Sequence, residues 1–304
     1  MCCFVWLMQD KPFRQLLPII NDKHGDGNRK QDVVAGVCFS NRITGDPQPA
    51  AFHIRCFLHA AVKINSSEGA ISLLKVSHFT KRYGKNLACD DISFELPEGS
   101  VTVLLGPNGA GKSTLMKGII GFLRFEGQVL VNGETNTSPK SRRAIGYIPE
   151  IPSFYPNLTV SEHMEFLARA YRMNDYRERV QALLHRFALD DHQTKLGSEL
   201  SKGLAQKLNI CLGLLTEPGI VLLDEPFIGL DPHAIKELKN TVEELRSEGA
   251  ALLISTHIID SVDMLWDRTI ILKDGKMRRD VTRDELSRSG ESLEKLFFEA
   301  TEGA

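Results

Sequence analysis

Val101-Thr-Val-Leu-Leu105 runs directly into Gly106-Pro107-Asn108-Gly109-Ala110-Gly111-Lys112-Ser113-Thr114, and a helical pattern follows. A nearly continuous apolar run of this kind fits a strand buried on both faces of a parallel sheet. The glycine-rich segment after it is the Walker A arrangement in its required strand–loop–helix context. Its glycines let backbone N–H groups close around phosphate oxygens, and the N-terminus of the following helix adds partial positive charge. Lys112 is expected to reach the β- and γ-phosphates of a nucleotide, and the Ser113 hydroxyl to ligate Mg2+. Average residue usage makes an accidental match in a chain of this size an event on the order of 1%.

Short β-branched runs at 71–76, 101–105, 128–131, 144–148, 220–223, 251–255 and 269–272 alternate with helical patterns, which predicts an α/β domain over residues 70–304. Residues 152–216 read as mostly helical. Thr159-x-x-Glu162 is a capping box ahead of Met164, Leu167, Ala168 and Tyr171, which share one helical face. Val180, Leu183, Leu184 and Phe187 repeat the spacing, as do Leu204, Leu208, Cys211, Leu212 and Leu215, so a helical subdomain is expected between strands of the sheet. Asp224 and Glu225 end the run 220–223 and so fall at the carboxyl edge of the sheet, where α/β proteins bind ligands. Neighbouring strand residues point oppositely, which predicts different roles: Asp224 holding the Mg2+ shell, Glu225 orienting or deprotonating the attacking water.

The chain has 304 residues, 42% of them hydrophobic and 25% charged, which excludes fibrous, collagen-like and wholly disordered classes. With 37 Lys and Arg against 39 Asp and Glu, the formal net charge is −2, so there is no global field for nucleic acid and no nucleic-acid partner is expected. No run approaches the roughly 18 apolar residues that a spanning helix needs. Cys2, Cys3, Cys38, Cys56, Cys89 and Cys211 show no C-x-x-C pairing, which predicts reduced thiols and neither a disulfide framework nor a zinc site. Residues 1–69 carry 8 Lys and Arg against 6 Asp and Glu, lack sustained periodicity and are expected to form an irregular or disordered extension without signal-peptide features.

Taken together, the motifs resemble those of the ATP-binding-cassette ATPase family over residues 71–301. The resemblance rests on the Walker A loop at 106–114, Leu200-Ser201-Lys202-Gly203 in the place of the family signature, the Asp224-Glu225 pair, the D-loop Gly229-Leu230-Asp231 and His257 after the strand 251–255. It implies the P-loop NTPase fold, with a mostly parallel sheet core, an inserted helical subdomain and an antiparallel β edge, and it implies ATP and Mg2+ as cofactors. Tyr83, 23 positions before Gly106, occupies the place of the ring that stacks on adenine. The resemblance further implies that His257 contacts the γ-phosphate, and that Ser201 and Gly203 close the nucleotide site of a second ATP-binding subunit. Glu150 stands where the family has the magnesium-facing Gln of the Q-loop, and Lys202, Leu204 and Ile228 also depart from the common pattern. Tyr147-Ile-Pro-Glu150, the Ser-Lys-Gly signature and the terminal segment 292–298 resemble export-type ATP-binding subunits of bacteria. Such subunits work in the cytoplasm, peripheral to the inner face of the membrane, with a separate membrane permease. A non-transport ATP switch acting on ribosomes or DNA is the alternative, while the signature and His257 argue against a generic P-loop kinase.

Overall fold

The computed structural model describes residues 72–302 apart from residue 263; the expected extension 1–69, and with it Cys2, Cys3, Cys38 and Cys56, lies outside the described residues. The chain begins with the hairpin β1 (Ser72–Tyr83) and β2 (Asn86–Pro97), then β3 (Val101–Leu105) and α1 (Lys112–Ile119). Next come β4 (Glu126–Val131), β5 (Glu134–Thr135), α2 (Pro139–Ala144) and β6 (Ile145–Ile148). The helices α3 (Val160–Ala170), α4 (Tyr176–Arg186) and α5 (Lys202–Leu214) precede β7 (Ile220–Asp224). The remainder is α6 (Pro232–Ser247), β8 (Ala251–Thr256), β9 (Arg268–Lys273), β10 (Lys276–Thr282), α7 (Arg283–Ser289) and α8 (Leu293–Glu302).

The strands form two sheets. The larger has the order β10-β9-β3-β8-β7-β6, parallel except for β10, which pairs antiparallel with β9 at one edge. The smaller is antiparallel, with the order β2-β1-β4-β5. The antiparallel component expected at an edge therefore takes two forms, one strand on the main sheet and a separate four-stranded sheet.

The apolar runs that predicted a doubly covered sheet behave accordingly. Side chains alternate across a strand. Val101, Val103, Leu105, Val221, Leu223, Leu252 and Ile254 pack with α3, α5, α6 and α8 on one face. Leu104, Ile220, Leu222, Leu253 and Ile270 pack with Leu115, Met116 and Ile119 of α1 and with the smaller sheet on the other. The predicted faces of α3 and α4 are likewise turned inward: Met164, Leu167 and Ala168, and Val180, Leu183 and Leu184, are all buried. The Thr159–Glu162 capping box starts α3, with Glu162 Oε2 accepting from Thr159 N–H at 2.9 Å and Thr159 Oγ1 accepting from Glu162 N–H at 3.2 Å. No described helix is long and apolar enough to cross a membrane.

This topology positions the site. Because β3, β8, β7 and β6 are parallel neighbours, their carboxyl ends lie side by side along one edge. The segments that leave those ends carry, in the same order, the Walker A loop, His257, the Asp224–Glu225 pair and Glu150.

Candidate functional site

The loop between β3 and α1 is held by close backbone approaches that only glycine permits. A Cβ on Gly106 would lie 2.5 Å from the Leu272 carbonyl oxygen of β9, and one on Gly111 would lie 2.5 Å from the Ala88 carbonyl oxygen of β2. Gly111 also takes φ +104° as the residue that enters α1, a conformation that side chains with a Cβ rarely adopt. A bond from Ala110 N–H to the Pro107 carbonyl closes the turn at 3.2 Å, and Asn108 and Gly109 are exposed at its tip. The β9–β10 turn braces the loop from outside: Gly275 N–H bonds the Ala110 carbonyl at 3.2 Å, and Asp90 N–H bonds the Gly275 carbonyl at 2.8 Å. Cys89 lies beneath, wholly buried, where burial pushes its thiol up to about 12. Cys89 and Cys211 are both free thiols.

Lys112, Ser113 and Thr114 open α1, so the cation and the hydroxyl enter the loop from the positive end of a helix. The Lys112 side chain is 6% exposed, and its Nζ donates to the carbonyls of Gly106 at 2.7 Å and Pro107 at 3.3 Å. Nζ is also 3.5 Å from Glu225 Oε1. Ser113 Oγ donates to Asp224 Oδ1 at 3.2 Å. The paired oxygens of Ser113 and Asp224 fit Mg2+, which prefers one or two protein oxygens supplemented by phosphate and water. Among the described residues there is no cluster of three or more His, Cys, Asp or Glu that would make an all-protein metal cage.

Asp224 and Glu225 do take different directions, but not through strand alternation. β7 ends at Asp224, and Glu225 adopts φ +48° in the left-handed region. That turn carries the Glu225 carboxylate to His257, with Nδ1 2.8 Å from Oε1; the bond to a carboxylate assigns the ring proton to Nδ1. The Glu225 side chain is 6% exposed and that of His257 36%. Lys112, Glu225 and His257 thus form one constellation, through an ion pair and a hydrogen bond, beside the Ser113–Asp224 pair.

Other expected site residues are not joined to it. Glu150 is exposed after β6, and no hydrogen bond connects it to Ser113 or Asp224. Tyr83, 48% exposed, ends β1 in the hairpin that packs on the loop, with Lys81 Nζ 5.0 Å from its ring centroid. Ser201 is exposed and caps α5, its Oγ accepting from Leu204 N–H at 3.4 Å; Gly203 follows in the first turn. This end of α5 is tied to the segment after Glu225. Gln206 Nε2 donates to the Pro226 carbonyl at 3.2 Å, and Lys207 Nζ pairs with Asp231 at 2.7 Å. That hydrogen bond from Lys207 is the main reason the Asp231 carboxyl is held below its ordinary range, helped by the Ala234 N–H that Asp231 caps on α6. The Lys202 stem lies against Gly229, where a Cβ would meet its Cε at 3.3 Å.

The sequence patterns did not disclose two buried partners of Asp224. Tyr147 of β6 donates its hydroxyl to Oδ2 at 3.4 Å, and Ser255 of β8 donates to Oδ1 at 2.5 Å. Ser255 belongs to a run read only as a strand, and Tyr147 was read in a strand and in the segment before Glu150 but not as a partner of Asp224; the register that sets Asp224 opposite Ser255 is the signal that would have found the second.

A family profile described as "ABC transporter" matches residues 89–228. The ABC-type transporter ATP-binding protein EcsA of Bacillus subtilis is 36% identical over 240 residues, spanning 76% of this chain and 97% of EcsA. The lantibiotic transport ATP-binding protein SrtF of Streptococcus pyogenes is 33% identical, spanning 74% of this chain and 96% of SrtF. A solved structure described as the ATP-binding subunit of an ABC transporter superposes with a TM-score of 0.71 at 36% identity, covering 75% of this chain and 99% of that one.

Proposed function

The chain belongs to the ABC transporter family of ATP-binding proteins, and from that premise we propose that it drives export through a separate membrane permease by ATP-dependent closure of two ATP-binding subunits. The family hydrolyses ATP to power transport, and the chain is an ATP-binding, ATP-hydrolysing subunit of this kind. Export is the finer step; it is supported by a relative named for lantibiotic transport and by the Ser-Lys-Gly signature.

The observation that carries the mechanism is the constellation at the carboxyl edge of β3, β7 and β8. In the proposed cycle the backbone N–H groups of Gly109, Ala110 and Gly111 and the Lys112 ammonium hold the triphosphate at the start of α1. Ser113 and Asp224 would hold Mg2+, which supplies charge neutralisation on the phosphate oxygens. Glu225 accepts the proton of the attacking water, and His257, bonded to the same carboxylate oxygen, fixes its orientation and senses the γ-phosphate. Tyr83 stacks on the base, and Glu150 faces the site from the segment after β6. Ser201 and Gly203, at the exposed start of α5, face the triphosphate held by a second subunit. The links from α5 to the segment 226–231 connect that contact to Glu225. The family names attached to the relatives do not favour a ribosomal or DNA-acting switch.

Two measurements test this reading. Affinity purification from native membranes should recover a polytopic membrane protein with the chain, and recovery without any membrane partner would contradict the permease assignment. A Glu225→Gln variant should elute as a dimer in Mg–ATP and as a monomer without it; a monomer under both conditions would contradict closure.

A further inference from the structure

Ser255 stands at the centre of the constellation, yet it touches neither the Walker A loop nor His257 through its side chain. It is wholly buried, so no water competes for its hydroxyl. A hydroxyl carries one proton and two lone pairs. The proton goes to Asp224 Oδ1, 2.5 Å away, on the same oxygen that accepts from Ser113 at 3.2 Å. With the proton committed there, Oγ presents lone-pair density to the Glu225 N–H, 3.2 Å away. The Ser255 carbonyl accepts from that same N–H at 3.1 Å.

One residue thus grips the side chain of Asp224 and the backbone of Glu225. The second grip falls where the chain leaves regular structure, because Glu225 is a non-glycine residue at φ +48°. Left-handed backbone of this kind persists when its surroundings over-determine it. Both acceptors that hold its N–H belong to Ser255. Release of that N–H would let Glu225 relax toward the extended backbone of β7, and its carboxylate would leave Lys112 Nζ at 3.5 Å and His257 Nδ1 at 2.8 Å.

We propose that Ser255 is a positioning residue for hydrolysis, whose single hydroxyl aims the metal-facing carboxylate of Asp224 and locks the backbone that presents Glu225 to water. The proposal rests on the roles assigned above to Asp224 and Glu225. Its polarity explains why a hydroxyl is needed: alanine offers neither donor nor acceptor, whereas threonine offers both.

The test compares the full chain with Ser255→Ala, Ser255→Thr and Glu225→Gln. Three quantities are read: kcat and KM for ATP, the magnesium concentration needed to tighten a fluorescent ATP analogue, and the thermal midpoint. Ser255→Ala should lower kcat by about 10- to 100-fold, the usual cost of removing a partner that orients a metal-facing group. It should raise the magnesium requirement several-fold and leave affinity for the analogue in EDTA unchanged. Ser255→Thr should recover turnover and magnesium requirement together. An alanine variant that turns over at the wild-type rate, or that loses rate with an unchanged magnesium requirement, overturns the proposal. Glu225→Gln separates this failure from a deeper one: if it still hydrolyses ATP at the full rate, the assignment of Glu225 itself is wrong, whereas its loss of turnover beside a fully active Ser255→Ala would condemn the role of Ser255 alone.

Discussion

Lys112 Nζ and Glu225 Oε1 lie 3.5 Å apart, and both side chains are 6% exposed. The same carboxylate oxygen receives His257 Nδ1 at 2.8 Å. Glu225 is therefore linked both to the Lys112 cation of the Walker A loop and to the ring that follows β8, at the point where β7 stops and the chain turns left-handed. A carboxylate held between an ammonium and a ring N–H is placed to take a proton, and this arrangement separates binding from turnover in the variants below.

Glu225→Gln keeps the shape and loses the basic oxygen. General-base contributions run at about 10²- to 10⁴-fold, so kcat should fall within that range while nucleotide affinity holds. Steady-state hydrolysis alongside titration of a fluorescent ATP analogue checks both halves; a variant that turns over normally would remove Glu225 from the chemistry.

Lys112→Ala should do the reverse. A hydrogen bond to a charged group contributes about 1.5–3 kcal/mol, equivalent to about tenfold to a hundredfold in Kd. Calorimetric titration with Mg–ATP should show at least the lower loss. Unchanged affinity would mean that Lys112 keeps its bonds to the Gly106 and Pro107 carbonyls rather than turning to phosphate.

The elements most visible in the sequence were those whose pattern is local. β3 and β7 are nearly continuous apolar runs beside motif residues, and the capping box at Thr159 identifies the start of α3 from two residues three places apart. β2 was not anticipated although Ile92, Phe94 and Leu96 alternate with exposed Ser93 and half-buried Glu95; its half-buried face had only one partner sheet to report. β10 has the charged composition of an edge strand, Lys276-Met-Arg-Arg-Asp-Val-Thr282, and no periodicity to read. The candidate site divides along the same line. Lys112, Ser113, Asp224, Glu225 and His257 were legible because each sits in or beside a motif. Tyr147 and Ser255 were not, because their contacts with Asp224 depend on which strands become neighbours, and that order is a property of the folded sheet.

Gly111→Ala tests the seat of the loop on β2. Holding a non-glycine residue in a strained conformation costs about 1–3 kcal/mol, and the added Cβ would also lie 2.5 Å from the Ala88 carbonyl oxygen. In a domain of about 150–250 residues each kcal/mol moves the midpoint by about 2–4 °C. Thermal melting should show a drop of at least that size together with impaired ATP binding, and a variant that matches wild type in both would refute the close approach.

The last prediction concerns His163, which is wholly buried in α3. Its Nε2 accepts from Tyr155 N–H at 3.0 Å, so Nδ1 carries the proton and donates to the Thr159 carbonyl at 2.7 Å. The bond from Tyr155 needs the neutral ring, and burial lowers its pKa from the ordinary 6.5, opposed by the Thr159 carbonyl and Glu162. When the folded value lies below the unfolded one, the unfolded chain binds the proton first. The stabilisation is then complete above about pH 6.5 and declines as the pH falls from there toward the lowered native value. Thermal midpoints measured from pH 7.5 down to 5.5 should fall, and His163→Gln, whatever its starting stability, should show a shallower slope over that window. Equal slopes would place the acid sensitivity elsewhere and leave the His163 ring without the assigned role in holding the segment 154–159 against α3.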